Sequence, residues 1–132
     1  METYAKIMAE LAHTVHAVAV TEDDGFQDAS ETLLDRVRRC VAPEDAALAR
    51  RCETLIATVS PSHTLIHGDF HTGNVFLENG EPLLIDMDRV SRGHPIVELS
   101  DLYVAYVLLG EDEPAVVENF MGFSFHTADR FF

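Results

Sequence analysis

Basic residues are scarce in this 132-residue chain: one lysine, Lys6, and eight arginines stand against 23 acids, for a formal net charge of −14. Nucleic acid is a poor partner for such a field, because its phosphates need clustered Lys and Arg. A cationic small molecule is favoured instead, although an acidic surface also serves solubility alone. Tryptophan is absent, and the only cysteines are Cys40 and Cys52. They form neither a metal spacing nor a disulfide framework, so each is expected as a reduced thiol on the buried side of a helix. No apolar run approaches the ~18–20 residues of a membrane span, and the N-terminus lacks a charged-then-apolar leader pattern. The expectation is a cytoplasmic globular protein with no membrane segment.

What is present divides by period. Residues 1–60 read as helical. Tyr4, Ile7, Met8, Leu11, Val15 and Val18 recur at three- and four-residue spacing and predict a helix over 2–20. Asp28 with Glu31 marks the start of a second helix, whose buried face is Leu33, Leu34, Val37 and Cys40. Pro43 is expected in the first turn of a third, carrying Leu48, Cys52, Leu55, Ile56 and Val59 inward. Residues 64–88 change character. Thr64-Leu65-Ile66 is a short strand, and Asn79-Gly80 is the strongest available hairpin signal between Val75–Glu78 and Glu81–Ile85. A two-residue turn sets Glu78 against Glu81, Val75 against Leu84 and Gly73 against Asp86. Residues 97–132 return to helix, with Gly110 a candidate C-cap and Pro114 opening a further short helix. From Ser124 to Phe132 the chain again looks like a helix start. The whole is an α+β chain read as one domain over residues 1–132.

Between strand and hairpin lies the stretch that carries chemistry: His67-Gly68-Asp69-Phe70-His71-Thr72-Gly73-Asn74, followed by Ile85-Asp86-Met87-Asp88. Asp69 can act as a base toward a hydroxyl, while Asn74 and Asp86 offer one neutral and one charged oxygen to a hard cation. The hairpin register brings Asn74 and Asp86 to one mouth. Strict strand alternation would still point them to opposite faces, so a shared ion requires the strands to bend or end there.

These residues closely resemble the aminoglycoside phosphotransferase and choline kinase-like family, relatives of the protein kinases. The similarity continues through Gly93-His94-Pro95-Ile96-Val97-Glu98-Leu99, where the family commonly has Gly-Asp-Pro-x-x-Asp-Leu. His94 and Glu98 depart from those acids. The first helix, ending in Leu11-Ala12-His13-Thr14-Val15-His16, is also similar to the family helix after the interlobe hinge. The resemblance implies the helical C-terminal lobe of a kinase-like fold. It makes Asp69 the catalytic base, with ATP as phosphate donor and Mg²⁺ held by Asn74 and Asp86. His67 then supports the loop, and Asp88 stands behind the metal or on the substrate side. His71 is read as a loop-ordering hydrogen-bond partner.

Other readings stay open at this stage. Asp69 and Asn74 also suit a plain turn. His67, Asp69 and His71 alternate, so in an extended segment they share a face and, with Asp86 and Asp88, could build a metal-dependent hydrolase. A shortened, non-catalytic binding module is the third alternative. The remaining histidines (His13, His16, His63, His126) read as ordinary helix or loop residues, and Glu98 and Asp101 as helix-start acids. The family's N-terminal lobe, with its strand lysine and phosphate-covering loop, has no counterpart in this sequence, so the isolated chain is expected to bind Mg-ATP poorly. Apolar surface near the first helix and Phe131-Phe132 is expected to favour a homo-oligomer. The acceptor is expected to be a small molecule, with the acidity leaning toward a cationic one.

Overall fold

The computed structural model describes residues 2–121. Helix α1 (Glu2–His16) buries Met8, Ala12 and Val15. It stops four residues before the spacing predicts. Beyond His16 the chain extends along the first strand: Val20 N–H donates to His63 O (2.8 Å), Leu65 N–H donates to Val18 O (2.9 Å), and Ala19 bridges Thr64. β-Branched Val18 and Val20 suit an extended edge, and this pairing outweighs the helical period.

Helix α2 (Ala29–Arg36) is capped by Asp28, whose Oδ1 accepts from Ser30 N–H (2.9 Å) and Glu31 N–H (3.2 Å). It widens into a π turn over Val37–Val41. Helix α3 (Ala46–Ile56) starts three residues after Pro43, with Asp45 as the cap that accepts from Ala47 and Leu48 N–H. The expected apolar faces of this pair are only partly covered. Val37 and Ala49 are buried, Leu33, Leu34 and Cys52 half-buried, and Leu48, Leu55 and Cys40 exposed. Both thiols are therefore more open than their helical positions suggest. A layer of two helices covers one side of each stripe and leaves the rest in solvent.

Two small antiparallel sheets follow. β1 (Thr64–Ile66) pairs with β4 (Ser91–Gly93), while β2 (Val75–Glu78) and β3 (Glu81–Leu84) form the hairpin. Its turn has φ +54° at Asn79 and +87° at Gly80, the left-handed pair that a two-residue turn needs. The register sets Glu78 opposite Glu81 and Val75 opposite Leu84, as the turn predicts.

Helix α4 (Ile96–Tyr103) runs through a π turn (Val104–Leu108) into α5 (Leu109–Asp112). Gly110 is buried inside that run and does not cap it. Pro114 opens α6 (Pro114–Met121) as expected. The helix start read at Ser124 and the Phe131-Phe132 pair lie outside the described residues. The core joins Met8 and Ala12 of α1 to Phe70 of the loop, Val75 of β2, Leu102 and Tyr106 of the α4 run and Val117 of α6. Through Phe70 the polar loop therefore leans on helices from both sides of it in the chain. Among the described residues, no helix is long and apolar enough to cross a membrane.

Candidate active site

β1 delivers the polar loop directly out of the core. Ile66 is buried and His67, the next residue, has no exposed surface. The His67 ring is spent on the backbone: Asp69 N–H donates to Nδ1 (3.2 Å), and Nε2 lies 2.9 Å from Ile85 O. With Nδ1 accepting, the proton sits on Nε2 and is donated to that carbonyl. One ring thus ties the polar loop to the end of the hairpin. It leaves no nitrogen for a metal, which removes His67 from the hydrolase alternative. Among the described residues no group of three or more His, Cys, Asp or Glu side chains converges to hold an ion.

Gly68 follows at φ +84°, and a Cβ there would run into the Arg89 carbonyl. Its N–H donates to Glu98 Oε1 (2.7 Å). The other oxygen, Oε2, lies 2.7 Å from His16 Nε2. Glu98 is buried, and the His16 side chain is 11% exposed. This carboxylate therefore pins the loop to α1 and α4 together. Neither role was foreseen. The available clue was a polar residue on a buried stripe, since His16 falls four residues after Ala12 and Glu98 four before Leu102. Tyr106 adds a third prop, its hydroxyl accepting from Thr72 N–H (3.0 Å).

Held in this way, Asp69 reaches the surface with its side chain 35% exposed. Arg89 Nη1 stands 3.7 Å from its Oδ2, and His71 Nε2 stands 3.9 Å from its Oδ1. Asn74 is buried and its amide nitrogen donates to the Asp69 carbonyl (2.9 Å). Oδ1 of Asn74 has no hydrogen bond among the described residues. Ile85 N–H donates to the Asn74 carbonyl (2.9 Å), so the hairpin's ladder continues up to the two candidate ligands.

The geometric demand made by strand alternation is met at both positions. Asn74 closes a 3₁₀ turn (Thr72–Asn74) before β2 begins, and Asp86 takes a left-handed conformation (φ +64°, ψ +58°) after β3 ends. Neither side chain obeys the strand period. Asp86 and Asp88 are both exposed and interact with each other. The Asp86 carboxyl is held above the usual aspartate range, first by its hydrogen bond to Asp88 and then by that neighbour's negative charge. A smaller push comes from Asp69, and Arg89 acts the other way. Two carboxyls this close repel when both are ionised, and a cation between them would relieve that repulsion.

A cavity of about 780 Å³ opens beside Asp69, walled by the segment that includes Phe26, by α2 through Arg36, and by Asp101 and Phe120. Asp88 and His71 also face it. Partial loss of hydration raises Asp101, Arg36 counters it, and the charges of Glu98 and Asp69 add to the rise. Of the site residues read from sequence, Asp69, His71 and Asp88 line this hollow; Asn74 and Asp86 lie at the hairpin end outside its walls, and His67 stays in the core.

A carboxylate at the mouth of a hollow, with the Asn74 amide oxygen and the Asp86 carboxyl at the adjacent hairpin end, is compatible with phosphoryl transfer. The model of the phosphotransferase enzyme family matches residues 2–128, and the chain belongs to that family. This agrees with the resemblance to aminoglycoside phosphotransferases and choline kinases. Searches of curated proteins and of solved structures each return no match.

Proposed function

We propose that this chain carries the catalytic half of an ATP- and Mg²⁺-dependent kinase that phosphorylates a hydroxyl of a small molecule. The observation that carries this reading is the division of labour in Asn74. Its amide nitrogen is committed to the Asp69 carbonyl, which leaves Oδ1 as the atom to meet a cation on the same rigid loop as the base. Asn74 and Asp86 would hold Mg²⁺, a sparse oxygen set typical for an ion that keeps several waters and bridges phosphates. Bound there, the ion would supply charge neutralisation on the ATP phosphates.

The residues of the chain do the rest. Asp69 takes the proton of the acceptor hydroxyl as that oxygen attacks the γ-phosphorus, and Glu98, His16, His67 and Tyr106 keep the base in place. The acceptor sits in the cavity walled by Phe26, Arg36, Asp101 and Phe120. Four acids line that cavity (Asp69, Asp88, Glu98, Asp101) against Arg36 and Arg89, and with the net charge of −14 they favour a cationic acceptor. On this reading these elements form the larger, C-terminal lobe of a kinase-like enzyme. The strand lysine and phosphate-covering loop that clamp ATP in that architecture are not among these residues, so transfer by the isolated chain is expected to be weak.

The test is ³¹P NMR of the product of the complete reading frame, incubated with Mg-ATP and a panel of choline, ethanolamine, kanamycin, homoserine and glycerol. ADP and a new phosphomonoester signal are expected with at least one amine-bearing alcohol. Hydrolysis of phosphoesters without any nucleotide requirement would overturn the reading in favour of a hydrolase.

A further inference from the structure

His71 does more than order its loop: we propose that its Nε2–H binds the very hydroxyl that Asp69 activates. The inference rests on the phosphotransferase reading above and adds a substrate-touching residue to it. Its first support is the tautomer. Gly73 N–H donates to His71 Nδ1 (3.0 Å), so in the neutral ring the proton belongs to Nε2. The second is restraint. The ring packs on Phe120 with centroids 5.2 Å apart, and a Cβ on Gly73 would come within 2.8 Å of the ring carbon Cε1. Glycine at that position leaves the ring the space it occupies beside the turn.

The third support is the gap. Nε2 and Asp69 Oδ1 are 3.9 Å apart, too far for a hydrogen bond between them. One oxygen atom placed ~2.8 Å from each closes the triangle at an angle of roughly 90°. Both side chains are partly open, 25% for His71 and 35% for Asp69, and both line the cavity. An occupant must accept from Nε2–H and donate to a carboxylate through a single atom. A hydroxyl does both, an ammonium cannot accept, and a carboxylate cannot donate. The pair therefore favours a hydroxyl oxygen over an ammonium or a carboxylate at the reacting position, even when the rest of the acceptor is cationic, and an alcohol entering there displaces a water.

During transfer the hydroxyl proton passes to Asp69. The acceptor oxygen forms its bond to the γ-phosphorus, and the bond from that phosphorus to the ADP oxygen breaks. His71 keeps its proton throughout. By occupying one lone pair of the acceptor oxygen, it leaves the other to point at phosphorus, which is an orienting role.

Four forms of the complete reading-frame product separate this inference from its parent reading: wild type, Asp69→Asn, His71→Phe and His71→Gln, each assayed with Mg-ATP and the acceptor panel. His71→Phe is expected to raise acceptor KM and lower kcat, together ~10- to 100-fold, with the KM for ATP unchanged. His71→Gln keeps an N–H within reach and is expected to recover most of the loss. An active His71→Phe beside a dead Asp69→Asn would overturn the inference while the parent reading stands. Equal losses in both His71 variants, or a raised KM for ATP, would also overturn it, as expected of a loop-ordering or phosphate-side role. Full activity of Asp69→Asn would sink both. Independently of turnover, the imidazole ¹⁵N spectrum of the wild type must show His71 as the Nε2–H tautomer, and an Nδ1–H tautomer refutes the proposal.

Discussion

Asp69→Asn is expected to lower the rate of phosphoryl transfer by about 10²- to 10⁴-fold, the range associated with losing a positioned general base. The substitution changes shape very little, and the amide cannot take the acceptor proton. The loop itself should survive. Its hydrogen bonds run through the Asp69 backbone, with the N–H to His67 and the carbonyl to Asn74, and not through the carboxylate. What the variant loses is charge beside Arg89, 3.7 Å away in an exposed pair of small stabilising value. Initial rates with a responsive acceptor, together with an unchanged melting profile, check this. Rates within a few-fold of wild type would show that Asp69 is not the base.

Glu98→Ala should have the largest effect on stability, a loss of about 2–4 kcal/mol. Removing the buried carboxylate strands two partly covered partners at once: Gly68 N–H on the loop and the His16 ring on α1. A hydrogen bond to a charged group is worth roughly 1.5–3 kcal/mol, less where water reaches the stranded partner, and the cavity left by Glu98 adds to that. A useful contrast is Leu55→Ala on α3, where the leucine is 67% exposed and its truncation should stay within about 0.5 kcal/mol. Urea midpoints of both variants make the comparison. Faster hydrogen exchange at Gly68 in Glu98→Ala would place the damage at the catalytic loop. Similar midpoints for the two variants would mean that Glu98 is not an anchor.

Local chemistry was legible in the sequence; distant partnership was not. Asn79-Gly80 dictated its turn and, through it, the pairing of Val75 with Leu84, because two residues with positive φ leave only one register. Asp28 dictated the start of α2 in the same way. The polar loop offered a candidate site because Asp69, Asn74 and Asp86 lie within twenty residues of one another. The end of α1 was hidden, since Val18 and Ala19 leave the helical period to pair with a strand more than forty residues later. His16 and Glu98 were hidden more deeply: they meet across 82 residues, and nothing near either one announces a partner. The exposed Cys40 and Leu55 carry the same lesson from the other side. An apolar stripe states which face can be buried, and only tertiary packing decides how much of it is.

A cation held by Asn74 and Asp86 beside Asp69 is the centre of the proposed site, and paramagnetic NMR with Mn-ATP tests for it without any knowledge of the acceptor. Manganese broadens nearby amide signals even when binding is weak, so the chain itself can be used. Broadening is expected to centre on Gly73, Asn74 and Val75 and on Ile85 through Asp88. Because the Asp86 carboxyl is held above the ordinary aspartate value of 3.8, protons should begin to displace the ion at a higher pH than at an isolated aspartate. The broadening should therefore fade as pH falls, and Asp86→Asn should remove it. Broadening centred on His67 and His71, with Asn74 and Asp86 untouched, would contradict the account.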